Sequence, residues 1–197
     1  MSLLFESIAC LDGELQNLSY HQERVNRSRK ALFSATDILA LDDILIPPFT
    51  HHGLWKCRVS YARSLTSINF KKYQPMNPKT FKVVEAEINY PYKTEDRRQL
   101  DQLYEQRGKA DDVIILVNKQ LTDSSYGNLL FFDGKQWVTP AKPLLEGTMR
   151  AQLVKSGLVR ETSVSRQELN RYDRFMMVNA LNPFREERAL PISNIIL

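Results

Sequence analysis

The spacing of apolar and polar positions changes several times along this chain, and each change marks an element. Leu4 to Ala9 reads as a strand, and Asp12-Gly13 reads as a hairpin turn. Beyond Leu18 the period becomes helical. With Asn17 or Ser19 as N-cap, a helix is predicted to about Phe33. Its apolar stripe is Leu18, Val25, Ala31 and Leu32, and His21, Arg24 and Arg27 lie on a neighbouring face. A shorter helix is predicted over Asp37 to Leu45, ended by Pro47-Pro48. Strand-like alternation follows in Leu54 to Arg63, Thr66 to Tyr73 and Phe81 to Ile88. In the first of these, Lys56, Arg58 and Ser60 share one face, and Trp55, Cys57, Val59 and Tyr61 the other.

The segment around Ile88-Asn89 is the candidate boundary between two domains, 1–88 and 89–197. After it, Thr94 is a candidate N-cap, Glu95 and Asp96 suit a first helical turn, and Gly108 marks the stop of a helix ending near Arg107. The unbroken apolar run within Asp112 to Val117 predicts a strand buried on both faces. A polar loop, Thr122 to Asn128, leads to a strand over Leu129 to Phe132. A turn at Asp133-Gly134 and a return strand to Val138 come next. Glu146 to Arg150 opens a helix that ends near Ser156-Gly157. Leu158 to Val164 and Phe175 to Val178 read as strands, Ser165 to Glu168 as a capping box, and Ile192 to Ile196 as an edge strand.

Composition narrows the classes. The 197 residues are 43% hydrophobic and 25% charged, enough for one large domain or two small ones. The net charge of +4 comes from interleaved residues rather than a basic block, so no nucleic-acid partner is expected. A mild basic excess suits anionic small molecules instead. Cys10 and Cys57 have no metal-ligand spacing and are expected as free buried thiols; no metal site is expected. No apolar run approaches the ~18 residues of a membrane span, and Met1 to Phe5 leads straight to Glu6 without a leader pattern. A soluble cytoplasmic protein is the expectation.

Candidate chemistry gathers around Lys93, a lone lysine between a strand pattern and a helix start. Gly147-Thr148 opens a helix, where backbone N–H groups and a hydroxyl can cradle an anion. Asp123 can supply a fixed carboxylate, and His21 and Arg24, one helical turn apart, can hold a phosphate. A phosphate, an aldehyde able to join an amine, and a ring nitrogen paired with a carboxylate together describe pyridoxal 5′-phosphate.

These residues follow one another in an order that resembles the class IV (fold type IV) aminotransferase-like proteins, which include branched-chain and D-amino-acid aminotransferases and 4-amino-4-deoxychorismate lyase. The resemblance runs from Phe5-Glu6-Ser7-Ile8 to about Phe184. His21-Gln22-Glu23-Arg24 is similar to the family's His-x-x-Arg, whose arginine grips the cofactor phosphate. Lys93 stands at the Schiff-base lysine, with Arg97 at the spacing of the lyase branch. Thr122-Asp123 through Asn128-Leu129 and Phe131 resembles the segment whose carboxylate pairs with the pyridine nitrogen. Glu146-Gly147-Thr148-Met149-Arg150 is similar to the phosphate turn, and Asn179-Ala180-Leu181-Asn182-Pro183 to the lyase form of the last active-site loop. The family carries Glu where this chain has Asp123, a side chain about 1.3 Å shorter in reach. The chain also begins where the family's opening strands and glycine-rich segment, which wall part of the substrate pocket, have normally passed.

The resemblance implies an α/β (α+β) fold of two domains, with a small N-terminal and a larger C-terminal domain and the cofactor in the cleft between them. It implies a homodimer and a small amino substrate carrying a carboxylate. Lys93 is then the catalytic lysine, and Arg24, Lys93, Arg97, Asp123, Gly147, Thr148, Met149 and Asn179 are cofactor-binding candidates. Ser7, Lys56, Arg58, Tyr126 and Ala180 are candidates for substrate contact. The spacing of Arg97 and the Asn179 loop favour the lyase, which releases pyruvate and 4-aminobenzoate. An amino-acid aminotransferase and a non-catalytic family member with a binding or structural role are the alternatives.

Overall fold

A computed structural model describes residues 3–47 and 52–197 of the chain. Pro48, expected to help end the second helix, lies outside the described residues. Two compact units are formed, Met1–Pro75 with Tyr92–Asp96, and Met76–Pro91 with Arg97–Leu197. The domain boundary read near Ile88-Asn89 therefore differs from the division in space. The strand Phe81–Glu85 pairs within the second sheet, while Tyr92–Asp96 returns to the first unit.

The first unit is built on an antiparallel four-stranded sheet ordered β2-β1-β3-β4, from β1 (Leu4–Leu11), β2 (Glu14–Leu15), β3 (Leu54–Tyr61) and β4 (Leu65–Lys72). Asp12 and Gly13 both take positive φ in the tight turn between β1 and β2, as the Asp-Gly pair predicts. One face, with Leu4, Ile8, Cys57, Val59 and Tyr61, packs with Val25, Leu41 and Leu45. Helix α1 spans Leu18–Phe33, but its buried face differs from the expected apolar stripe. His21, Arg24, Ser28 and Arg29 are buried with Val25, whereas Ala31 and Leu32 are exposed. Glu6, a buried carboxylate on β1, holds His21 and Arg24, and Arg29 turns inward to donate to the Arg63 and Asp37 carbonyls.

The second helix shrinks to a single turn, α2 (Leu41–Ile44). Side chains of α1 have taken the backbone groups it would need. Arg29 donates to the Asp37 carbonyl at 2.8 Å, and Gln22 donates to the Leu39 carbonyl and accepts from the Leu41 N–H. With the Asp37 and Leu39 carbonyls and the Leu41 N–H partnered from outside, coiling through 37–40 would give up these hydrogen bonds.

The second unit carries a nine-stranded sheet whose main path is β10-β9-β8-β7-β6-β5-β13, with β11 pairing β8 and β12. Its strands are β5 (Phe81–Glu85), β6 (Asp112–Val117), β7 (Gln120–Ser124), β8 (Asn128–Phe132), β9 (Trp137–Pro140), β10 (Val159–Thr162), β11 (Arg174–Val178), β12 (Leu190–Pro191) and β13 (Ile195–Ile196). Parallel β5 and β6 are connected through α3 (Arg98–Glu105), and parallel β9 and β10 through α4 (Thr148–Lys155). The apolar run of β6 is buried on both faces, as expected. Ile114 and Leu116 join a cluster with Leu129, Phe131 and Phe175, while Val113 and Ile115 face Leu100 and Leu103 of α3.

Two further expectations change. The helix expected from Thr94 starts only at Arg98, because the backbone at Thr94 forms a bridge to Leu4 instead. The polar stretch Thr122 to Asn128 is not all loop. Thr122, Asp123 and Ser124 are buried in β7, and the reversal is confined to the residues just after it. Among the described residues, no helix is long and apolar enough to cross a membrane.

Phe175 stands edge-on to Phe81 at 5.2 Å and stacks near Phe131 at 6.3 Å, fully buried. Phe175→Ala should destabilise the fold by about 3–5 kcal/mol, read as a drop in the urea midpoint with an unchanged m-value.

Candidate functional site

In the first unit, the candidate lysine is held by strand pairing. The Phe5 N–H donates to the Lys93 carbonyl at 2.9 Å, and the Glu95 N–H donates to the Leu3 carbonyl at 2.8 Å. Residues 93–95 thus lie along the start of β1, on the edge that β3 does not use. The Lys93 Nζ sits 4.7 Å from the centre of the Phe5 ring, and the Arg58 guanidinium carbon sits 3.9 Å from the same centre. Ser7 is directly opposite Arg58 across β1 and β3, so three of the candidates, Ser7, Arg58 and Lys93, gather beside Phe5. Lys56, two residues along, reaches toward the Tyr73 ring at 5.6 Å. Burial lowers the pKa of Lys56, and the Arg58 and Lys71 charges add to the shift.

Beneath this face lies the buried group around Glu6. Arg24 Nε donates to Glu6 Oε1 at 2.9 Å, and Arg24 Nη2 donates to Glu6 Oε2. His21 Nδ1 lies 2.6 Å from Oε2. Burial alone would raise the Glu6 carboxyl, but the Arg24 charge and the His21 hydrogen bond outweigh it and bring it from 4.5 to about 2. Burial pushes the His21 imidazole down against the pull of Glu6. The ionised carboxylate only accepts, so His21 donates from Nδ1. Arg24, expected to face a phosphate, has its guanidinium plane fixed by an internal carboxylate.

In the second unit, Asp123 on β7 is buried, and both of its oxygens are engaged. Asn128 Nδ2 donates to Oδ1 at 2.8 Å, and the Leu145 N–H donates to Oδ2 at 2.9 Å. Burial pushes the carboxyl up to about 6, against these donors and the Arg150 charge. Asn128 also donates to the Leu145 carbonyl at 2.9 Å, so one amide clamps Asp123 to the segment before α4. That clamp accounts for Gly147: a Cβ there would lie 2.0 Å from Asn128 Oδ1, although φ is an ordinary −72°. The glycine is required by close approach, not by a left-handed backbone. Thr148 and Met149 follow as the first, buried residues of α4.

A second group in this unit surrounds the reversal after β7. Arg97 Nη2 donates to the Ser125 carbonyl at 2.9 Å, and its guanidinium carbon lies 4.9 Å from the Tyr126 ring centre. Asn179 Nδ2 donates to the Tyr126 carbonyl at 3.0 Å, and Ala180 follows it, half-buried. Ser125 Oγ donates to buried Asp112 Oδ1. Arg97, Tyr126 and Asn179, far apart in sequence, therefore meet at one turn. The residues that sequence reasoning left out of the site are the supporting ones: Phe5, Ser60, Glu95 and Asn128. Each lies within or beside a quoted motif, but nothing local marks its partner. Among the described residues, no cluster of ligating side chains could hold a metal ion.

Taken by their fold and these groups, the units are those of an α/β chain with a strand-held lysine and a buried carboxylate beside a helix start. The chain belongs to the class IV aminotransferase family, whose model matches residues 3–190. An uncharacterized protein of Haemophilus influenzae is 35% identical over 183 residues, covering 91% of this chain and 97% of that one. A crystal structure from Haemophilus somnus 129pt, provisionally named a 4-amino-4-deoxychorismate lyase, is 34% identical with a TM-score of 0.86, covering 93% of this chain and 98% of the other. The pyridoxal-phosphate-bound form of a hypothetical aminotransferase from Mycobacterium tuberculosis shares the fold at 13% identity and a TM-score of 0.74, over 98% of this chain and 81% of that one.

Two outcomes are expected from this geometry. Gly147→Ala should displace the Asn128 amide from Asp123 and Leu145 and lower stability by about 1–3 kcal/mol, the cost of leaving buried polar groups unpaired, measurable by urea unfolding. Glu6 has a depressed carboxyl, so its contribution is complete above pH 4.5 and is lost as pH falls toward about 2. Glu6→Gln should therefore cost about 3 kcal/mol at neutral pH and flatten the acid limb of stability measured from pH 4.5 downward.

Proposed function

We propose that this chain is a pyridoxal-phosphate enzyme acting as 4-amino-4-deoxychorismate lyase. The observation that carries the reading is Lys93, whose carbonyl accepts from the Phe5 N–H of β1 while its Nζ lies 4.7 Å from the centre of the Phe5 ring. The donor set fits the cofactor chemically. Lys93 offers an amine for an aldehyde, Asp123 a buried carboxylate for a ring nitrogen, and Gly147-Thr148 a helix start whose Cβ-free residue allows close backbone packing. Arg24 adds a cation oriented by Glu6. When bound, pyridoxal phosphate supplies an electron sink for a carbanion next to the substrate nitrogen.

The protein's own part is binding and proton transfer. Asp123 would hold the cofactor's ring nitrogen, and Arg24, Gly147, Thr148 and Met149 would hold its phosphate. Arg97 and Asn179 brace the turn at Ser125 and Tyr126. With the cofactor bound, the Lys93 amine would take the proton from the carbon to be activated and return a proton later. Ser7, opposite Arg58, assists that transfer, and Lys56 and Arg58 receive substrate carboxylate. Tyr126 and Ala180 line the substrate side of the same turn. Loss of the proton and then of pyruvate leaves 4-aminobenzoate, a step in folate synthesis, carried out in the cytoplasm by a homodimer. The meeting of Arg97 and Asn179 at one turn favours this reaction over amino-acid transamination, because both residues follow the lyase pattern.

Purified protein given pyridoxal phosphate should turn yellow, and Lys93→Ala should lose the imine absorbance. Aminodeoxychorismate should yield 4-aminobenzoate and pyruvate. D-Glutamate from D-alanine and 2-oxoglutarate would assign a D-amino-acid aminotransferase instead, and a colourless protein that takes up no cofactor would overturn both enzyme readings.

A further inference from the structure

Arg58 already holds a carboxylate from its own chain. Its Nη2 donates to Glu95 Oε1 at 3.1 Å, and the Ser60 hydroxyl donates to the same oxygen at 2.7 Å. The contact is through one oxygen, not a paired fork, and both side chains remain about one-third exposed, 37% for Arg58 and 33% for Glu95. The Ser60 hydrogen bond is the largest influence holding the Glu95 carboxyl below its ordinary value, with Arg58 adding to it. Glu95 is also two residues from Lys93, and its backbone is pinned separately through the bond to the Leu3 carbonyl. Its side chain can therefore leave Arg58 without breaking the strand pairing that holds Lys93.

We infer that Glu95 is a specificity-determining residue, an internal stand-in for the substrate carboxylate that occupies Arg58 until an incoming carboxylate displaces it. This rests on the assignment of Arg58 to substrate recognition. Three features support displacement. A guanidinium binds an external carboxylate best through two parallel N–H donors, a geometry Glu95 does not use. Ion pairs this exposed are weak, so an external anion has little to overcome. The Arg58 guanidinium carbon lies 3.9 Å and the Lys93 Nζ 4.7 Å from the centre of the one Phe5 ring, so the cation that exchanges its carboxylate and the candidate amine share a neighbour.

The consequence for specificity is a filter. A ligand without a carboxylate leaves the Arg58–Glu95 pair closed and gains nothing from Arg58. A ligand with one neutralises Arg58 and sends Glu95 to solvent. Lys56 and Lys71, directly opposite each other on β3 and β4, add positive charge to the same sheet face and favour the exchange.

The test uses the full chain and benzoate as probe, followed by NMR titration of the Arg58 side-chain and Ser60 amide resonances. Glu95→Gln should tighten benzoate binding about threefold to fivefold, the range that an exposed ion pair can contribute. Ser60→Ala, which removes one hold on Glu95 without changing any charge, should tighten it by a smaller factor. The double variant Arg58→Gln/Glu95→Gln should lose the gain. Unchanged or weaker binding in both single variants, or a gain that survives in the double variant, overturns the inference. Imine formation at Lys93 in the wild-type protein is scored separately, so failure of the cofactor reading and failure of the Glu95 reading give different results.

Discussion

The first unit depends on the start of β1 and the residue before it, which are paired along both edges. Leu3, Leu4 and Phe5 pair with residues 93–95 along one edge, while Leu4 and Phe5 pair with Tyr61 and Ser60 of β3 along the other. An edge strand with open N–H and C=O groups is a costly feature unless it is covered. Here the covering segment carries the candidate lysine, so one set of backbone hydrogen bonds closes the sheet and immobilises an amine. A lysine on a free loop would lose side-chain and backbone entropy on ordering around a ligand; this one has lost most of the backbone part on folding.

The side chains of β1 divide the work by strand alternation. Phe5 and Ser7 face the cations, and Glu6 faces the interior, where it is fully buried. A buried carboxylate without partners would be strongly unfavourable. Arg24 and His21 answer it, and in doing so they turn the polar side of α1 inward. The same residues that make the unit stable also fix the orientation of Arg24.

The second unit solves a related problem with a shorter acid. Asp123 reaches less far than the glutamate typical of the family, and it is held by the Asn128 amide and the Leu145 N–H. That amide presses on Gly147, which ties the position of the carboxylate to the start of α4. The turn after β7 is fixed from two sides, by Arg97 at Ser125 and by Asn179 at Tyr126. Backbone carbonyls receive both, so the identities of Ser125 and Tyr126 matter less to these bonds than the shape of the turn.

Much of this was legible in the residues. Alternation placed β1, β3, β4 and β5 closely, apolar runs placed β6 and β8, and the order of motifs pointed to the family, because each depends on local spacing or on residue type. The helix expected at Thr94, the long second helix, the apolar face of α1 and the domain boundary were not legible. In each case a distant group decided: the open edge of β1 took Thr94 and Glu95, Gln22 and Arg29 took the carbonyls of Asp37 and Leu39 and the N–H of Leu41, Glu6 drew Arg24 and His21 inward, and β6 and β13 took Phe81–Glu85. Sequence alone determined which chemistry the chain can offer. Only the tertiary structure decided which carboxylate each cation holds, because hydrogen bonds and ion pairs between residues remote in sequence leave no periodicity to read.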